Sequence, residues 1–81
     1  FNSSLLISYL NQNDFLTDKI VVYDILGKEI VTWPVLNSFN TENHIYWDGK
    51  DGRGFEIRAG LYFVRFKSKN NSIIKKVTHL K

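Results

Sequence analysis

The 81-residue chain contains no cysteine. That absence excludes disulfide stapling, thiolate zinc sites and a cysteine nucleophile together, and it leaves the redox compartment open. Long apolar runs are also missing. Nothing approaches the roughly 18 consecutive apolar residues of a membrane span, and no stretch forms a signal peptide. Methionine is absent too, and Phe1 stands where an initiator would be. The chain is therefore expected to be a piece of a longer protein, with no membrane insertion of its own.

Acidic residues vanish from the last part of the sequence. Residues 57–81 hold seven cations (Arg58, Arg65, Lys67, Lys69, Lys75, Lys76 and Lys81) and no acid, whereas residues 1–56 hold four cations and eight acids. A mild total of +3 thus conceals −4 followed by +7. Such asymmetry suits either an acidic partner or a solvated face of charged strand residues. Helical patterning is lacking as well, since no segment keeps a three-four apolar spacing over the length of a helix.

What is present points to β structure. With 43% hydrophobic and 15% aromatic residues, the chain can supply one core, burying roughly 60% of its unfolded surface. Residues 1–81 are accordingly expected to form a single domain. Short alternating runs rich in Val, Ile, Tyr and Phe recur about every ten residues between Asn, Asp and Gly. Seven such runs are candidate strands: LLISYL (5–10), KIVVYD (19–24), EIVTW (29–33), HIYWD (44–48), GFEIR (54–58), LYFVRFKS (61–68) and IIKKVTHLK (73–81). Packed only on one another, they predict a seven-stranded antiparallel β-sandwich.

Period-two phase assigns the inner face. It holds Leu5, Ile7 and Tyr9 on the first run, Ile20 and Val22 on the second, Ile45 and Trp47 on the fourth, and Tyr62, Val64 and Phe66 on the sixth. The opposite phase of the sixth run, Phe63, Arg65 and Lys67, reads as a solvated face with cationic stems lying across a ring. The last run mixes its phases. In YDILGKEI, Gly27 suits the positive-φ position that closes a hairpin turn. Ile25 and Leu26 are apolar at that turn and are expected to fold back over the end of the sandwich, the alternative being that they face a neighbour.

The densest cluster of special residues is WDGKDGRG (47–54). A calcium hand starting at Asp48 would need oxygen ligands where Lys50 and Gly52 stand, and Gly where Arg53 stands. A phosphate cradle would open a helix, but these glycines lead toward another strand and Asp48 and Asp51 would repel phosphate. A structural connection capped by its own aspartates remains, with a weak surface cation site between Asp48 and Asp51 as the alternative. His44 and His79 sit in no nucleophile motif and are expected at the surface, so no catalytic residue, metal ligand or cofactor is assigned. Trp33, Tyr46, Trp47 and Tyr62 could form a stacking platform for sugars or single-stranded nucleic acid, but their phase places them in and around the core, and no nucleic-acid partner is expected. Asn70 opens a formal glycosylation acceptor, a match common by chance.

Taken in order, FNSS…ISYL, VVYDILGKEI, HIYWDGKDGRG, IRAGLYFVRF and KKVTHLK closely resemble the C-terminal sorting domain of type IX (Por) secretion substrates, type A. They also resemble the related Ig-like domain of flagellar hook-capping proteins. The similarity covers nearly the whole chain. Its pattern falls on Phe1, Asn2, Tyr23, Asp24, Gly27, Trp47, Asp48, Gly49, Gly60, Tyr62, Phe63, Lys76, Leu80 and Lys81. It departs at Ser3, where the family usually has Pro, and at Thr78 and His79, where the family's last strand is more apolar.

The resemblance implies an Ig-like, Greek-key arrangement of the sandwich and a non-catalytic address. Such a domain would send a covalently linked upstream cargo from the periplasm through the outer-membrane translocon to the cell surface or beyond. The residues it would offer for recognition are Lys75, Lys76, Leu80 and Lys81, in the basic C-terminal stretch. The alternatives are an accessory or spacer module of a secreted bacterial enzyme, or a carbohydrate-binding module.

Overall fold

The computed structural model of the protein describes residues 4–10, 17–35, 42–69 and 71–80, and no helix occurs among them. Six strands form: β1 (Leu5–Leu10), β2 (Lys19–Tyr23), β3 (Glu29–Pro34), β4 (Glu42–Trp47), β5 (Gly60–Lys67) and β6 (Ser72–His79). β1 and β4 make a two-stranded sheet, and the other four make a second sheet in the order β3-β2-β5-β6. Every pairing is antiparallel. Alternating β-branched and aromatic side chains supply the pleated, half-buried surfaces that such pairings require.

Seven strands were expected, and the difference lies at residues 54–58. That stretch makes a single isolated bridge, Lys50 to Glu56, instead of a strand. The cause is local. Asp51 Oδ1 accepts the amides of Arg53 at 2.9 Å and Phe55 at 3.0 Å, and the Asp51 amide donates to the Phe55 carbonyl at 2.8 Å. Backbone groups that a strand would offer to a neighbour are thereby spent inside the loop. The other six runs form strands, the first with unchanged ends and the rest with ends that move by one or two residues.

Side chains from both sheets meet in one core. Ile7 and Trp47 come from the two-stranded sheet, and Ile20, Val22, Tyr62, Val64 and Phe66 from the four-stranded one, with Leu5, Tyr9 and Ile45 packed against them. These are the residues that period-two phase places inward. Trp47, 1% exposed, lies at the centre. Its ring stands edge-on to Tyr62 at 5.9 Å and to Trp33 at 6.5 Å, the geometry that aromatic quadrupoles favour. Tyr46, by contrast, faces solvent, so the aromatics share no platform.

Three residues depart from expectation, one in a strand and two in a turn. Val21 lies on the outer phase of β2 yet is 0% exposed. β2 runs between β3 and β5, so the small Val21 side chain is flanked on the outer side by Thr32 and by the long Arg65 stem. Ile25 and Leu26, expected to fold back, are instead 68% and 89% exposed. The turn is too tight for that: the Gly27 amide donates to the Asp24 carbonyl at 3.1 Å, and Gly27 at φ 85° reverses the chain at once. The two intervening side chains are left projecting from the hairpin end.

His79 is also a correction. Expected at the surface, it is buried at the end of β6, where the register sets it opposite Gly60 on the core side of the sheet.

Candidate functional site

The stretch that the sequence singles out for recognition is β6, an edge of the four-stranded sheet. Its register resolves the mixed phase. Ile73, Lys75, Val77 and His79 stand opposite Phe66, Val64, Tyr62 and Gly60, on the core side; Ile74, Lys76 and Thr78 stand opposite Arg65, Phe63 and Leu61, on the outer side. Lys75 and Lys76 therefore do not form one patch. Lys75 lays its stem beside the core, its Nζ 5.9 Å from the centroid of the Phe66 ring, along an opening lined by Leu5, Ile7, Val64 and Val77. Lys76 is exposed on the opposite face. Leu80 follows the strand and is exposed, and Lys81 lies outside the described residues, as do Phe1, Asn2, Ser3 and Asn70.

An edge strand carries backbone N–H and C=O groups that point away from the sheet. In β6 those groups have no strand partner among the described residues. Ile73 and Ile74 are exposed beside them. The strand thus offers main-chain hydrogen bonding, apolar contact and positive charge along one line.

Residues of the family pattern elsewhere hold the frame. In the β2–β3 hairpin, Asp24 Oδ1 accepts the amides of Leu26 at 2.9 Å and Lys28 at 2.8 Å. Tyr23 and Phe63 face each other across β2 and β5 on the outer side. Gly60 opens β5, and two residues later the Tyr62 hydroxyl donates to the Arg58 carbonyl at 2.7 Å. Burial pushes the Tyr62 phenol above its ordinary range, and the nearby Asp24 carboxylate adds to the effect.

The WDGKDGRG loop is built as a connection. Trp47 Nε1 donates to the Lys50 carbonyl at 2.9 Å, Asp48 Oδ1 accepts the Lys50 amide at 3.1 Å, and buried Gly49 turns the chain at φ 76°. The Phe55 amide, above all, holds the Asp51 carboxyl below its ordinary value; the amide and guanidinium of Arg53 and the Gly54 amide act the same way, against a smaller opposing effect of burial. Both aspartates are engaged with backbone donors. No group of three or more His, Asp or Glu side chains that could hold a metal occurs among the described residues. His44 bonds Ser8 Oγ at 3.0 Å across β1 and β4, and His79 lies at the far end of the other sheet, so the two histidines share no site.

Sequence reasoning missed Lys19. Grouped by position with the acidic half, it lies opposite Lys67 across β2 and β5, and thus belongs spatially with the basic C-terminal stretch. Nothing local signals that pairing.

No curated protein and no solved structure matches the chain. A family model described as the secretion system C-terminal sorting domain matches residues 1–79. With an all-β frame, turn aspartates committed to structure and a basic strand at a sheet edge, the chain belongs to the type IX secretion C-terminal sorting domain family.

Proposed function

We infer that the chain acts as its family does, as a sorting signal for type IX cargo, which is exported and ends up secreted or on the cell surface, and that the domain itself is not a catalyst. We propose that residues 1–81 form one domain at the C-terminal part of a longer secreted protein. It delivers the upstream cargo to components of the outer-membrane translocon, which read Lys75, Lys76, Leu80 and Lys81. The observation that carries this reading is the position of β6 as an open sheet edge with exposed apolar and cationic side chains. Such an edge suits recognition by strand addition, in which main-chain bonds give affinity and side chains give selectivity.

We read the two sheets as a six-stranded sandwich of the immunoglobulin-like kind. The shared core supports this, as does the hydrogen bond from Tyr62 to a carbonyl four residues upstream, which resembles the tyrosine corner of such folds. Any enzymatic activity then belongs to the cargo.

The test is a fusion of residues 1–81 behind a periplasmic reporter in a bacterium with the type IX system. The reporter is expected at the cell surface. Removing residues 72–81, or combining Lys76→Glu with Leu80→Asp at exposed positions that leave the core intact, retains it in the periplasm. Surface delivery that survives both changes sinks the assignment to β6.

A further inference from the structure

The outer face of the four-stranded sheet carries four cations that form no ion pair among the described residues. Register sets Lys19 directly opposite Lys67, places Arg65 between Val21 and Ile74, and puts Lys76 opposite Phe63. Side chains directly opposite in an antiparallel pair stand about 5 Å apart, so the two lysines weakly oppose folding where they face each other. None of Lys19, Arg65, Lys67 and Lys76 has an ion pair among the described residues; Arg53 and Asp51, at 4.0 Å, do, in the loop elsewhere. The two acids on this side keep their charge but turn their oxygens to neutral donors of their own hairpin rather than to these cations. Glu29 accepts the Thr32 hydroxyl at 2.5 Å, and Asp24 accepts its hairpin amides.

Beside Arg65, toward the hairpin end of the face, lies a hollow of about 430 Å³ bounded by Tyr23, Asp24, Ile25, Phe63, Arg65 and Ile74, with the Lys19–Lys67 pair at the other end of β2 and β5. The Arg65 guanidinium carbon sits 5.6 Å from the centroid of the Tyr23 ring, which orients the group by cation–π contact. Its buried Nε meets no acceptor among the described residues. Ile74, 52% exposed, adds an apolar wall beside that donor.

We infer that this face docks an acidic, extended segment of the secretion machinery, which sets a carboxylate against Arg65 and an apolar side chain into the hollow beside Ile74. The inference rests on the sorting function. A planar guanidinium matches a carboxylate in shape as well as charge. Lys19, Lys67 and Lys76 supply the summed potential that steers such a segment to the face, and the hollow gives it an apolar anchor.

Residues off β6 test this independently of the edge-strand reading. Lys67→Glu is the key variant in the reporter fusion, because it sets an acid opposite Lys19 and so improves the cross-strand pair; a loss of delivery then reports recognition and not folding. Surface delivery is expected to fall about tenfold, and Arg65→Lys, which keeps the charge but removes the planar fork, to fall several-fold. Lys50→Glu, the same charge change in the loop, leaves delivery within about twofold of the unaltered fusion.

In vitro, a Glu-rich peptide with one central Leu serves as the probe. It is expected to bind the purified chain, to bind about tenfold more weakly when salt rises from roughly 0.05 to 0.5 M, and to lose binding with Lys67→Glu. Full delivery with both Lys67→Glu and Arg65→Lys, while Lys76→Glu with Leu80→Asp abolishes it, overturns this inference and leaves the β6 reading standing. An unaltered fusion that stays in the periplasm overturns both. Binding to phosphatidylglycerol vesicles without binding to the peptide, or dimerisation lost with Lys67→Glu, assigns the face to lipid or to a second copy and overturns the acidic-segment partner.

Discussion

The indole nitrogen of Trp47 donates a hydrogen bond of 2.9 Å to the carbonyl of Lys50, three residues further along the chain. One side chain thus fills the centre of the core and also ties down the loop that leaves β4. Trp47→Ala is expected to lower unfolding free energy by about 3 to 5 kcal/mol, as loss of a buried aromatic does. Trp47→Phe keeps part of the apolar contact but leaves the Lys50 carbonyl without its donor, and should fall about 1 to 3 kcal/mol below the parent. Urea titration followed by far-UV circular dichroism measures both. A loss under about 1 kcal/mol for Trp47→Ala contradicts the burial of the ring.

Tyr62 links core and corner in the same manner. Its ring packs against Trp47 while its hydroxyl holds the Arg58 carbonyl at 2.7 Å. Tyr62→Phe retains the packing and is expected to lose about 0.5 to 1.5 kcal/mol. With the folded phenol pKa raised above its ordinary 10.0, the folded state holds this proton more tightly than the unfolded chain. The contribution is complete below pH 10 and is lost as pH rises through the folded value. Alkaline melts of Tyr62→Phe should therefore be flatter than those of the parent.

Asp51 behaves in the opposite sense. Its carboxyl is held below 3.8, chiefly by the Phe55 amide, so the unfolded chain binds the proton more readily. Its stabilising effect is present above that pH and is lost as pH falls through the folded value. Asp51→Asn is expected to melt lower than the parent near neutrality and to show a shallower decline below about pH 4. The same engagement of Asp51 and Asp48 with backbone donors predicts no micromolar calcium binding at this loop, and calorimetry giving such an affinity would refute the structural role.

At the β2–β3 hairpin, conformation and side chain separate cleanly. An added Cβ at Gly27 meets nothing within 4 Å, so the effect of Gly27→Ala is backbone strain at φ 85° alone, about 1 kcal/mol. Leu26→Ser, at 89% exposure, should change stability by less than about 0.5 kcal/mol. Paired denaturant titrations check the contrast. An equal loss in both would mean that Leu26 packs on something.

Much of the frame was legible before any coordinates. Alternation in LLISYL, KIVVY and LYFVRF identifies the inward residues because side-chain direction in a strand has period two whatever the strand pairs with. Gly27 was legible too, since a tight hairpin requires positive φ there. Residues 54–58 misled for the opposite reason. Their alternation is real, with Ile57 partly buried and Phe55 under the Arg53 guanidinium, but the Gly54 and Phe55 amides go to Asp51 and the Ile57 amide to the Gly49 carbonyl. A pattern of side chains does not reveal where backbone donors go.

The sequence by itself determined an all-β chain, the identity of most core residues, the acidic-then-basic charge order and the motif set that marks the sorting family. Each of these is a local property, readable within a few residues. Only the tertiary structure decided that β6 is an edge, that Lys75 and not Lys76 takes its core side, and that Lys19 joins Lys67 on one surface. Those facts depend on which strands become neighbours. Neighbours are set by how the two sheets share one core around Trp47, a many-body packing outcome in which segments remote in sequence meet.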